Sequence, residues 1–222
     1  MANPLDLQEQ EQLEDIKAFW KQYGNLIAWL ITACLLAYAG WNGWGWYQRD
    51  QTAKAGVVFD ELDKAAAAGD ADKVGRIFAD LKDRYGRTAL AQQGGLLAAK
   101  VQYENGQADA AKTSLSWVGD NAKEEEYRSI ARLRLAGLLL EAKQYDAALK
   151  ALDEAKSKEF SALVADRRGD VLLAQGKKEQ ALAAYQIAFK DMGDKQDYRH
   201  LIEAKLTALA APPAPTASGA AK

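Results

Sequence analysis

The sequence predicts an all-α protein in which a single N-terminal transmembrane helix precedes an α-solenoid of stacked helical hairpins. Three observations carry this reading. Residues 24–47 form a run of 24 residues without one charged side chain. The chain beyond it is soluble, helix-forming sequence. Within that part, a turn followed by a small or apolar residue recurs at intervals of 37, 37 and 33 residues.

The arm, residues 1–23, comes first. Leu13, Ile16, Trp20 and Tyr23 recur at helical spacing and give it one apolar stripe, while Pro4 and Asp6 suit a helix start. Such a short amphipathic helix either rests on the membrane interface or meets a partner.

The uncharged run, 24–47, follows. At about 1.5 Å per residue it is about 36 Å long, enough to cross a hydrocarbon core of about 30 Å with some tilt. Amphipathic rings favour the headgroup level, and they stand at both edges: Trp20 and Tyr23 before the run, Trp41, Trp44, Trp46 and Tyr47 at its end. A buried core helix rarely runs this long without charge. A cleaved signal peptide requires a basic start and a shorter apolar stretch, whereas Asp6, Glu9, Glu11, Glu14 and Asp15 make this start acidic. An uncleaved anchor fits best. Lys17 and Lys21 on one side balance Arg49 and Lys54 on the other, so the positive-inside bias leaves the orientation open.

The repeat domain, 48–211, is next. Its anchors are Gly69, Gly106, Lys143 and Gly176, each followed five positions on by Val74, Ala111, Ala148 and Ala181. Four residues later stand Phe78, Leu115, Leu152 and Tyr185, and three beyond those Leu81, Val118, Ala155 and Ala188. Positions i, i+4 and i+7 share a helix face, so every second helix carries the same buried stripe. In the helices between, Ala99, Ala136 and Gly169 are small enough for close helix approach, with Gln102, Leu139 and Leu172 three residues on. Helix pairs stacked at a period near 34 give this pattern physical meaning. Gly94 and Gly95 relieve crowding between packed helices. A last helix through Leu201, Ile202, Leu206 and Leu209 closes the apolar edge, as solenoids require. Residues 212–222 carry only small and polar side chains beside proline, the composition of a disordered tail.

Composition narrows the function. After residue 47, 27 Lys and Arg face 26 Asp and Glu, and the whole chain carries a net charge of −2. The Arg128, Arg132 and Arg134 cluster sits beside Glu124, Glu125 and Glu126, a mixture typical of a solvated face and not of a nucleic-acid surface. Arg167 and Arg168 sit beside Asp166 and Asp170 in the same way. The single cysteine, Cys34, lies in the apolar run, so no intrachain disulfide can form. With one histidine, His200, flanked by Asp197 and Glu203 as surface ion-pair partners, neither a Cys–His pair nor a Cys/His zinc site can be assembled. No phosphate-binding glycine motif is present. No catalytic, metal or cofactor-binding residue is expected, and the chain reads as a binding protein and not an enzyme.

The hairpin period and its small–large pattern resemble the tetratricopeptide repeat. The run Leu13-Glu14-Asp15-Ile16-Lys17-Ala18-Phe19-Trp20-Lys21-Gln22-Tyr23-Gly24, the later Ala98-Ala99-Lys100 and the arm–anchor–repeat order resemble a family of small inner-membrane proteins of Gram-negative bacteria, the ancillary subunits of the SecYEG translocon. That resemblance implies a single-pass type II protein of the cell inner membrane, with a cytoplasmic N-terminus and a periplasmic tetratricopeptide-like domain. It further implies work beside the SecYEG channel with a membrane-anchored, parvulin-like periplasmic chaperone, assisting newly translocated periplasmic and outer-membrane clients. The alternative it carries is an adaptor that restrains a stress-response regulator.

Counting onto the repeat motif places Leu163, Asp166, Asp170 and Leu173 on the inner face of the last repeat, and Leu133, Leu140 and Glu141 on that of the repeat before. Leu133, Leu140, Asp166, Asp170 and Leu173 are the expected partner-binding residues. Repeats that grip an acidic chaperone C-terminus use Lys and Asn at such positions; Asp166 and Asp170 would repel that ligand, which argues against this mode.

Overall fold

The computed structural model describes residues 7–193 and 196–209, with side-chain surroundings for 12–193 and 198–209. Pro4, Asp6 and the expected tail at 212–222 lie outside the described residues. The chain divides into two compact units, Met1–Gln51 and Thr52–Lys222.

Among the described residues every long element is an α-helix: α1 (Leu7–Ala67), α2 (Ala71–Tyr85), α3 (Ala89–Glu104), α4 (Ala108–Asn121), α5 (Glu125–Glu141), α6 (Tyr145–Asp153), α7 (Ser161–Ala174), α8 (Lys178–Asp191) and α9 (Gln196–Ala208). A 3-10 turn, Lys158–Phe160, leads into α7. Helix α1 takes in the arm from Leu7 onward, the uncharged run and the first helix of the solenoid, and no proline interrupts it. It is the one described helix long and apolar enough to cross a membrane. In the first unit the apolar side chains face outward, among them Trp41 at 82% and Trp29 at 72% exposure. That is the pattern of a helix whose solvent is lipid.

In the second unit, consecutive helices pair and the pairs stack. The four anchors are the turns between paired helices, and all have left-handed backbone: φ is 69° at Gly69, 77° at Gly106, 59° at Lys143 and 78° at Gly176. Each ends its helix in a Schellman motif, which satisfies carbonyls that would otherwise be orphaned. At Gly106, for example, the glycine N–H donates to the Tyr103 carbonyl at 2.9 Å and the Gln107 N–H to the Gln102 carbonyl at 2.8 Å. Lys143 makes the same pair of bonds with Leu140 and Gln144 with Leu139, although it carries a side chain. The next helix starts two residues later, capped at Asp70 by a carboxylate accepting from the Lys73 N–H at 2.9 Å.

The stripes read from the sequence are the core. Val74, Ala111, Ala148 and Ala181 are fully buried, and Phe78, Leu115, Leu152 and Tyr185 nearly so. Glycine is required where helices touch. A Cβ on Gly95 would lie 2.4 Å from Val118 Cγ2, one on Gly94 2.6 Å from Leu81 Cδ2, and one on Gly169 2.4 Å from the Tyr185 ring. The third pair departs from the pattern, since α6 ends at Asp153 and Ala155 falls in the connection, only partly buried. Polar bonds organise that connection: Ser129 Oγ, fully buried on α5, accepts from the Ser157 N–H at 2.9 Å, and Glu154 pairs with Arg132. Helix α9 covers the last pair through Ile202 and Leu206, both fully buried; Leu201, one position off that stripe, is exposed.

Candidate functional site

The repeat offset aligns the first helices of successive pairs. Leu96 on α3 corresponds to Leu133 on α5 and Asp166 on α7; Lys100 corresponds to Gly137 and Asp170; Tyr103 corresponds to Leu140 and Leu173. Three structural positions thus recur along one face, and the structure fills them differently at its two ends.

Between α3 and α5 this face opens into a cleft of about 410 Å³. Its floor is apolar, built from Leu96, Ala99, Leu115, Leu133 and Leu138, and it has room because Gly137 lacks a side chain. Lys100, Tyr103, Arg134 and Glu141 rim it, and Arg167 reaches in from α7. The Tyr103 hydroxyl donates to Glu141 Oε2 at 2.6 Å, which ties α3 to α5. That hydrogen bond, reinforced by the carboxylate's charge, holds the phenol above its usual range. Arg167 Nε is buried without a hydrogen-bond partner.

Between α7 and α9 the corresponding face is closed. Asp166 is 1% exposed. Lys205 of α9 places its ammonium 2.8 and 2.9 Å from the two Asp166 oxygens and 2.7 Å from Asp170 Oδ1. The Tyr198 hydroxyl donates to Asp166 Oδ2 and the Tyr185 hydroxyl to Asp170 Oδ1, each at 2.8 Å. Burial, then the hydrogen bonds to these carboxylates, raise both phenols well above 10.0.

The expected inner-face residues therefore separate. Leu133 lines the cleft, while Leu140 is half-buried against the α5–α6–α7 core. Leu173 is 37% exposed on α7. Asp166 is not on an open face, contrary to the expectation, because α9 occupies the place a further repeat's first helix would take. Asp170 is half-buried and shares the same lysine with Asp166. Sequence reasoning passed over Tyr103 and any role for Lys100 in this face, and read Arg134 and Arg167 as solvated charge. Extending the register one repeat toward the N-terminus would have found Lys100 and Tyr103, and placing Lys205 within the Ile202–Leu206 stripe would have found the cap.

His200 Nδ1 is 3.3 Å from Glu203 Oε2 at the surface. Among the described residues no group of three His, Cys, Asp or Glu side chains converges as metal ligands. Arg132, which bonds the Gly119 carbonyl, Asp120 and Glu154, is a tie between repeats.

Residues 17–211 match the family model of the tetratricopeptide repeat-like domain. The chain is 32% identical over 207 residues to the ancillary SecYEG translocon subunit of Neisseria gonorrhoeae, an alignment covering 91% of this chain and 98% of that one. It is 31% identical over 192 residues to the ancillary SecYEG translocon subunit of Escherichia coli, with coverage of 82% and 87%. The subunit of the same description from Haemophilus influenzae is 28% identical over 185 residues, with coverage of 82% and 89%. No solved structure matches the chain.

Proposed function

This chain belongs to the family of tetratricopeptide repeat-like ancillary SecYEG translocon subunits, and from that premise we propose that it is a non-enzymatic, membrane-anchored accessory of the Sec channel whose repeats bind a polypeptide partner. The observation that carries this is an apolar helix on the same chain as a repeat array with an open apolar cleft between two first helices. The helix gives a single-pass inner-membrane protein, with residues 24–47 as its span and Trp20, Tyr23, Trp41, Trp44, Trp46 and Tyr47 at the two interfaces.

In this reading the N-terminus is cytoplasmic and the repeat domain, residues 48–211, is periplasmic. The anchor keeps the repeats beside the channel, which turns a weak encounter with an emerging chain or a membrane-bound chaperone into an effectively intramolecular one. Many modest contacts along stacked helices then suffice, since each needs to hold only while the partner is passed on. The partner is a parvulin-like membrane-anchored chaperone, and the clients are newly translocated periplasmic and outer-membrane proteins. Leu133, Leu140 and Leu173 are the contact residues that remain on the first-helix face.

Site-specific photocrosslinking in native membranes tests this, with probes at Trp44 and Leu173. Capture of a channel subunit from Trp44 and of a chaperone or client from Leu173 is expected. Capture of a stress-response regulator alone, with neither channel nor client, would replace this reading with that of a signalling adaptor.

A further inference from the structure

We infer that the cleft between α3 and α5 binds an extended acidic segment of a partner polypeptide, its aliphatic side chains seated on the leucine floor and its carboxylates held by Lys100, Arg134 and Arg167. The inference rests on the reading of the repeats as a binding module and names the chemistry of what they bind.

Charge is the first ground. The rim carries three cations, and the one acid among the lining residues, Glu141, already accepts the Tyr103 hydroxyl. Lys100 reaches Glu104 only at 3.9 Å, and Arg167 reaches Asp170 only at 3.9 Å. Neither separation is a hydrogen bond, so the N–H donors of both cations remain open to a ligand. Arg134 is exposed, and no ion pair engages it among the described residues.

The second ground is the partial balancing of the opposing charge. Asp166 and Asp170 on the neighbouring helix would repel an acidic ligand if free. Lys205 sits between them at 2.7 to 2.9 Å and two tyrosine hydroxyls donate to them, so one of their two charges is balanced inside the fold and both carboxylates are engaged as acceptors. The objection to an acidic ligand that the bare sequence raises is thus lessened by α9.

The third ground is shape. About 410 Å³ lies toward the small end of ligand sites, ~300–1,000 Å³, with room for a few side chains and not for a whole helix.

The test uses the full-length chain in detergent micelles and fluorescent peptides of alternating Asp and Leu, of alternating Lys and Leu, and of alternating Asp and Ser. Binding is followed by anisotropy while salt rises from about 0.05 to about 0.5 M, which shortens the screening length severalfold. The Asp–Leu peptide is expected to bind best and to weaken with salt. Arg134→Glu and Lys100→Glu should each weaken it about tenfold. Arg87→Glu, the same reversal at an exposed site outside the cleft, should leave it within about twofold. Equal binding of the Lys–Leu peptide, or equal weakening by Arg87→Glu, overturns the assignment. Channel capture from Trp44 in parallel separates the two readings: a lost charge preference with channel capture intact removes this inference alone, and a retained preference without channel capture upholds the cleft while removing the translocon reading.

Discussion

Replacing Lys205 by methionine keeps the length and the apolar stem of the side chain and deletes only the ammonium. What remains beneath α9 is a pair of facing carboxylates. The Asp166 side chain is 2% exposed and that of Asp170 22%, while Lys205 itself is 24% exposed. Removing one partner from a buried ion pair costs about 3–5 kcal/mol, because the group left behind keeps its desolvation penalty. The lower end applies here, since the Tyr198 and Tyr185 hydroxyls still donate to the carboxylates. At about 3 kcal/mol, and about 2–4 °C per kcal/mol for a domain of this size, the midpoint of thermal unfolding should fall by about 6–12 °C. Asp166→Asn in the same chain should restore part of that loss, with a coupling energy of about 2 kcal/mol in the double-mutant cycle. Urea unfolding of the full-length protein, read by circular dichroism, gives the cycle. Hydrogen exchange over residues 196–208 reports whether α9 opens before the rest, which a repeat array allows. If Lys205→Met costs no more than the ~0.5 kcal/mol of an ordinary surface substitution and the coupling energy is near zero, the ammonium does not hold the cap and the reasoning fails.

Gly169→Ala would place a methyl group 2.4 to 2.8 Å from three atoms of the Tyr185 ring, and overpacking of this kind should lower stability by about 1–3 kcal/mol in the same urea assay. Lys143→Gly relieves a side chain at φ 59° and should raise stability by about 1 kcal/mol, whereas Gly176→Ala at φ 78° should lower it by a similar amount; equal midpoints for both would refute the turn assignment. Tyr185 and Tyr198 ionise in the unfolded chain at lower pH than in the folded one, so the folded state retains protons that the unfolded state has lost. Their contribution is whole below 10.0, the ordinary phenol value, and is lost as pH climbs beyond it. Tyr198→Phe should cost about 1 kcal/mol at neutral pH through its lost hydrogen bond and show a shallower decline above pH 10, measured as urea midpoint against pH.

The solenoid was legible in the sequence because its marks are local and repeat. A left-handed turn residue, a small residue five positions later and a large one after four more are each demanded by backbone geometry or helix packing, so they recur wherever the same unit is built. Ala155 escaped this logic because the end of α6 is set by long-range bonds, Ser157 to Ser129 and Glu154 to Arg132, between residues more than twenty positions apart. The candidate face was half legible for the same reason. The register found Leu133, but whether Asp166 faces water depends on α9, which belongs to no repeat. The arginines at 134 and 167 read as solvated charge because sequence neighbours balance them, whereas in space they share a wall with leucines from other helices.

The closing of α7 by α9 also decides how copies of this molecule can meet. A bare repeat end is a template: its exposed stripe fits the start of another array, and head-to-tail addition of that kind has no natural stopping point. Here the last stripe is filled from within by Ile202 and Leu206, and the carboxylates that would greet a newcomer are bridged by Lys205. Another copy could seat on that stripe only after α9 had been displaced, so this part of the stack is built as a finished bracket instead of a link in a fibre.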